Sequence, residues 1–157
     1  MRRKDREITD MDVILSIIRK CDVCRLALFG EEYPYIIPMN FGFHYENQQL
    51  KLYFHGAKQG TKIDLIARNP KASFEMDCSH ELIPGPQACD YTMNYESVCG
   101  NGIIRILDRS QAEYALKQLM KQYTEQELTY KQAAVDAVAV MELTVEQITG
   151  KSRPPRK

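Results

Sequence analysis

No run of apolar residues in this chain approaches the ~18–20 that a membrane-spanning helix needs, so the sequence predicts no transmembrane segment and no membrane partner. The opening MRRKDREITD lacks the apolar stretch of a secretory leader. Net charge is also lacking: 21 Lys+Arg balance 21 Asp+Glu. That balance removes the global electrostatic argument for a nucleic acid partner. There is no internal repeat and no low-complexity segment. Neither GxxxxGK[ST] nor GxGxxG occurs, which excludes the Walker phosphate loop and the Rossmann dinucleotide turn. The expectation from these absences is a cytoplasmic globular protein. Its 157 residues suit one domain, 1–157, with short basic tails at 1–6 and 150–157 that read as solvated.

Cysteine is present but in odd number, at 21, 24, 78, 89 and 99, which suits reduced thiols in a chain without a leader. Cys21 and Cys24 have CxxC spacing, yet the pair straddles a helix end and a strand start. It reads as buried small hydrophobes rather than a zinc or redox motif. Cys78, Cys89, His44 and His80 show no recognisable ligand spacing, and no metal is expected.

Hydrophobic periodicity predicts a helix over about 10–21, capped by Thr9 or Asp10, and strands at 23–30, 35–45 and, after an ENQQ turn, 50–55. A short helix follows over 60–69, ended by Asn69-Pro70, and a strand resumes at 71–77. Residues 79–94 read as a long loop, and 95–108 as a strand with Gly100 and Gly102 marking a bulge or close approach. Ser110 and Glu113 have capping-box spacing at the head of a helix through Tyr123. Residues 137–150 alternate as a last strand. Pro38 inside a strand demands an edge, a bulge or a non-strand neighbour, because proline cannot donate to a ladder. Six strands in mostly hairpin order with two or three helices make a mainly β (α+β) chain, an antiparallel barrel with peripheral helices.

The stretch HGAKQGTK, residues 55–62, places two glycines, two lysines, a threonine and a histidine where a strand hands over to a helix. A helix N-terminus offers unpaired N–H groups and partial positive charge. Thr61 adds a hydroxyl, Lys58 and Lys62 add ammonium groups, and Gly60 permits close backbone approach. Two readings stay open from the residues: an ordinary turn with solvated lysines, or a generic anion cradle.

The runs PYIIPMNFGF, LYFHGAKQGTK, FEMD and ACDYTMNYESVCGNG, in that order, resemble the pyridoxamine 5′-phosphate oxidase-related flavoproteins, in particular the nitroimidazole-resistance (Nim-type) subgroup. The ends MRRKDREIT and TGKSRP match that subgroup too, so the resemblance spans nearly the whole chain. It implies a six-stranded split β-barrel homodimer with FMN at the subunit interface. Lys58, Thr61 and Lys62, with Gly60, would then contact the flavin phosphate. Pro38, Met39, Asn40 and Phe41 would pass along the isoalloxazine ring, and the backbone of His55, Gly56 and Ala57 would meet the ring or ribityl chain. Ser97 would approach from the partner subunit. A strand-end histidine is by itself an ordinary structural group; the resemblance makes His55 the candidate catalytic residue. Thr61 stands where the family's oxidase motif tends to carry an arginine, which counts against that oxidase activity. The implied function is an FMN-dependent oxidoreductase that passes electrons or hydride, from a donor such as NAD(P)H, to a small organic acceptor. The alternative is a flavin- or haem-binding sensor on the same fold.

Overall fold

In a computed structural model, residues 3–153 are described; residues 1–2 and 154–157, the outermost parts of the two expected tails, lie outside them. The chain runs β1 (Glu7–Ile8), α1 (Met11–Lys20), β2 (Cys24–Leu28), β3 (Tyr35–Met39), β4 (Gly42–Glu46), β5 (Gln49–Ala57) and α2 (Thr61–Arg68). It continues through β6 (Lys71–Ile83), β7 (Thr92–Ile106), α3 (Arg109–Lys121), α4 (Gln132–Ala137) and β8 (Val138–Arg153). All strand pairings are antiparallel, in the order β3-β2-β6-β7-β8-β5-β4, with β1 added on β8.

The mainly β expectation stands, with two differences. Among the described residues eight strands replace six, and the hydrogen-bonded path is open rather than closed. One extra strand is β1; the other, and the open path, trace to the run 35–45, which is not one strand. It breaks at Asn40-Phe41, and its halves end up at opposite edges of the sheet. Consecutive Cα atoms are ~3.8 Å apart, so two intervening residues keep the end of β3 and the start of β4 within roughly 11 Å. The sheet therefore coils until its edges nearly meet, and a covalent crossing spans the split that hydrogen bonds leave open. Pro38 is tolerated because β3 is an edge strand.

Two side chains that the predicted helix included, but that lie just past the end of α3, hold the crossing. The Tyr123 hydroxyl, just past α3, donates to Asp22 O at 2.8 Å. It accepts the Phe41 N–H at 2.9 Å and the Asn40 amide at 3.3 Å. Its neighbour Gln122 donates Nε2 to Cys21 O at 2.7 Å and to Ile18 O at 3.0 Å, a carbonyl that also accepts the Cys21 N–H at the end of α1. At its other end α1 is capped by Asp10, whose Oδ1 accepts from Asp12 N and Val13 N.

The main core lies inside the coiled sheet. Ile14, Ile17 and Ile18 of α1 pack there with Leu26, Phe41, Leu52, Phe54, Met76, Val98, Ile104, Met141 and Leu143. Each such side chain contributes about 1.5–3 kcal/mol by leaving water. A second, smaller core forms where α3 and α4 cover the outer face of β5 and β8, from Tyr53, Ala112, Ala115, Leu116, Val135 and Val140. Residues 139–143 are consequently buried on both faces, where a half-covered strand would alternate. Glu142, only 5% exposed, is compensated there by Lys51 (3.2 Å) and by Arg105 (2.9 Å).

Other expectations move. The 79–94 loop shrinks to 84–91, because β6 runs on to Ile83 and β7 starts at Thr92; each strand supplies the other's ladder. Ser110 and Glu113 make no capping box, since α3 starts a residue earlier with Asp108 at its N-cap and Glu113 pairs with Lys117 at 2.8 Å. The described parts of the tails are tied down. Lys4–Arg6 form a single 3-10 turn, and Glu7 and Ile8 pair with Lys151 and Gly150. Among the described residues, no helix is long and apolar enough to cross a membrane.

Tyr123→Phe removes the group that satisfies the Phe41 N–H, and should destabilise the protein by about 1–3 kcal/mol. Urea denaturation should show a lower midpoint at unchanged slope. A midpoint equal to the wild type's would mean that the crossing is held by other contacts.

Candidate functional site

β4 accompanies β5 only as far as the Gly42–Tyr53 pair, whereas β8 stays with β5 to the Ala57–Val138 pair. Residues 54–57 thus have backbone donors and acceptors on one side without a strand to use them. β3 has the same property, being paired only with β2. The split opens from the crossing between these two edges. The far end is closed by α2, which the Arg68–Glu31 ion pair (2.6 Å) fastens to the β2–β3 connection. A cavity of about 410 Å³ lies between that connection, Gly30 to Tyr35, and the Thr61, Asp64 and Leu65 side of α2.

The N-terminus of α2 has no side-chain cap. Gly60 sits at φ 118°, a left-handed conformation that other residues rarely adopt, and it turns the chain from β5 into the helix. Its carbonyl accepts Ile63 N–H at 2.9 Å, which leaves the Thr61 and Lys62 N–H groups facing outward among the described contacts. Lys58 and Lys62 have no acidic partner among the described residues, against one carboxylate in the first helical turn, Asp64. The local balance is cationic in a chain whose overall charge is zero.

Lys62 folds back toward β5. A Cβ on Gly56 would collide with its Nζ, so the missing side chain makes the room in which the ammonium lies. His55 sits next to it. Partial burial, and then the Lys62 charge, lower the His55 pKa below the ordinary 6.5. Both effects favour the neutral imidazole. Along β5 the side chains alternate, so His55 lies on the outer face with Tyr53, beside its cross-strand neighbour Val140.

The sequence-derived site residues divide. His55, Gly56, Ala57, Lys58, Gly60, Thr61 and Lys62 are contiguous at the far end of the split. Pro38 and Met39 form its β3 wall, and Asn40 lies at the crossing. Phe41 differs: its side chain is fully buried in the main core and its N–H is taken by Tyr123, so it offers a ligand little. Ser97 is elsewhere. It pairs with Lys151 of β8, whereas His55 pairs with Val140. At ~3.3 Å per residue, roughly 36 Å of strand separates them. His44 lies 3.6 Å from Glu46 near Tyr114, and His80 lies 2.7 Å from Asp77, both outside the split. Sequence reasoning missed Tyr123 and Gln122, whose spacing from their partners carries no local signal.

A family model described as pyridoxamine 5′-phosphate oxidase matches residues 10–152. No curated protein matches the sequence. Among solved structures, a candidate 5-nitroimidazole antibiotic resistance protein from Bacteroides thetaiotaomicron VPI-5482 is 35% identical, with TM-score 0.80 over 93% of this chain and 86% of its own. The flavocytochrome Anf3 from Azotobacter vinelandii is 16% identical, with TM-score 0.81 over 99% of this chain and 72% of its own. A FAD and haem binding protein from Mycobacterium smegmatis is 13% identical, with TM-score 0.81 over 96% and 74%. The last two show the fold alone.

The depressed His55 pKa fixes the sign of a pH effect. Unfolded chains bind this proton at about pH 6.5, before the folded protein does. The contribution of His55 to stability is therefore complete above that pH and is lost as pH falls through the lower folded value. Lys62→Gln removes the charge and should raise the His55 pKa toward 6.5, read by NMR titration of the imidazole. A pKa that stays put would assign the whole depression to burial.

Proposed function

The chain belongs to the pyridoxamine 5′-phosphate oxidase family, and from that premise we propose that it is an FMN-dependent oxidoreductase acting on a small organic acceptor. The observation that carries this reading is the cationic end of the split: an uncapped helix N-terminus with Thr61, Lys58 and Lys62 beside two unpaired strand edges. Such an end suits a phosphate, and free strand edges suit the polar rim of a planar ring. The residues fit the cofactor at a second point, since the gap over Gly56 holds the Lys62 ammonium next to the candidate cradle. Bound flavin would supply hydride or electron transfer. The chain's own part is to hold the phosphate through Lys58, Thr61 and Lys62, to line the ring with Pro38, Met39 and Asn40, and to keep His55 neutral as a proton acceptor.

The homodimer belongs to the same reading. One site can include both His55 and Ser97 only if Ser97 comes from a second copy, because the two are far apart along β8. A nitroaromatic acceptor is suggested by the name of the 35% identical relative. NAD(P)H is the proposed donor. A second reading, a flavin- or haem-binding protein without turnover, draws on the names of two structural neighbours, a flavocytochrome and a FAD and haem binding protein.

Protein as purified, or after addition of FMN, should show flavin absorption bands; a colourless protein that ignores FMN would sink the proposal, and a Soret band would favour the second reading. Anaerobic NADH or NADPH should bleach the bound flavin if the protein turns over. Lys62→Ala removes a charged contact of the kind worth ~1.5–3 kcal/mol. It should weaken FMN roughly tenfold or more in a fluorescence titration. An unchanged Kd would put the phosphate elsewhere.

A further inference from the structure

Where the end of α1 meets the irregular part of β6, two thiols share one acceptor. Cys21, the first residue past α1, is buried and donates its S–H to Ile17 O at 3.4 Å. The half-buried Cys78 thiol lies 4.0 Å from the same oxygen. Both sulfurs thus gather at one carbonyl at the end of α1. The fold thus dissolves the CxxC spacing, since Cys24 is wholly buried in β2 and Cys21 instead shares the Ile17 carbonyl with Cys78, 57 positions away in sequence.

Cys78 is set up differently from its partner. Glu96 Oε2 lies 3.9 Å from its sulfur and is itself held by Lys20 and by the Ser79 hydroxyl, each at 2.7 Å. Immediately after Cys78 the β6–β7 register shifts, and Ser79 takes a left-handed φ of 58°. The shift leaves Ser79 and His80 outside the ladder, so the backbone beside Cys78 can adjust as the two sulfurs close to bonding distance. Burial foremost, and then Cys78, push the Cys21 pKa up, so Cys21 remains a thiol and the more exposed Cys78 meets an oxidant first.

We propose that Cys21 and Cys78 form a redox-active dithiol that a hydroperoxide converts to an intramolecular disulfide. In the first step the Cys78 sulfur attacks a peroxide oxygen. The O–O bond breaks, an S–O bond forms, and the thiol proton, passed through the Glu96 carboxylate, leaves with the departing oxygen as water or alcohol. In the second step Cys21 sulfur displaces hydroxide from the Cys78 sulfenic acid. The S–S bond forms, and hydroxide takes the Cys21 proton as water. Two thiols lose two electrons and one peroxide gains them. The new bond would fasten the end of α1 to β6 next to the Cys21 and Asp22 carbonyls on which Gln122 and Tyr123 hang. The proposal stands whether or not a flavin binds.

The test uses full-length protein with Cys89→Ser and Cys99→Ser, which removes the two exposed thiols. Reduced protein is treated with one and ten equivalents of hydrogen peroxide, alkylated in denaturant and digested for mass spectrometry. The expected result is a Cys21–Cys78 cross-linked peptide with Cys24 alkylated, the loss of two thiols per chain, and full reversal by dithiothreitol. Recovery of both cysteines as alkylated thiols, of Cys78 as sulfinic acid, or of a disulfide between chains would overturn it. In Cys21→Ala, Cys78 should accumulate as a sulfenic acid trapped by dimedone. If that variant fails to give the wild-type circular dichroism, the cross-link measurement decides alone.

Discussion

Two residues, Asn40 and Phe41, join strands that lie at opposite ends of the sheet, and the rest of the molecule is arranged around that short link. A connection so short admits no open, flat sheet. The strands must coil until the edges approach, which encloses the main core and leaves the split. The link cannot be a strand itself, so its polar groups need partners from outside the sheet. Tyr123 supplies them, and Gln122 beside it completes the end of α1. One dipeptide after α3 therefore sets both the crossing and the place where α1 stops.

The same link explains why the cationic end lies where it does. Because β4 starts only at Gly42, β5 outruns it by four residues, and those residues lead directly to Gly60 and α2. Backbone that would be paired in a closed barrel is left free beside two lysines and an uncapped helix. The outer face of β5 and β8 had the opposite requirement. There α3 and α4 cover the sheet, and the buried Glu142 is balanced by Arg105 and Lys51 from neighbouring strands, a pairing that burial makes obligatory.

Much of this was legible in the residues. The apolar spacing of Val13 to Ile18, the Asp10 cap and the polar turn after Glu46 are local signals, and local hydrogen bonds realise them: Asn47 and Gln48 adopt φ 51° and 62°, as a tight hairpin turn requires. HGAKQGTK was legible as a strand-to-helix corner for the same reason. Pro38 announced an edge. The split of 35–45 was not legible, because the β-branched and aromatic residues on both sides of Asn40-Phe41 favour strand and only the partners differ. Nor was the true extent of β6 and β7, where Leu82 and Met93 pair while exposed and Asn94 is buried opposite Glu81, so burial there does not follow hydropathy. Phe41 looked like a site residue through its neighbours in sequence, yet its side chain is required by the core.

By itself the sequence determined which segments are strands and helices, the family to which they belong, and the chemical character of the corner at 55–62. These depend on short-range steric preferences, on periodicity and on motif order, all of which are written along the chain. Only the tertiary structure decided that the sheet stays split, that Tyr123 and Gln122 hold the crossing, that Ser97 lies far from His55, and that Cys21 finds Cys78 rather than Cys24. Each of these is a meeting of residues tens of positions apart, fixed by where two strands and a helix must pack to bury one core, and no local preference encodes it.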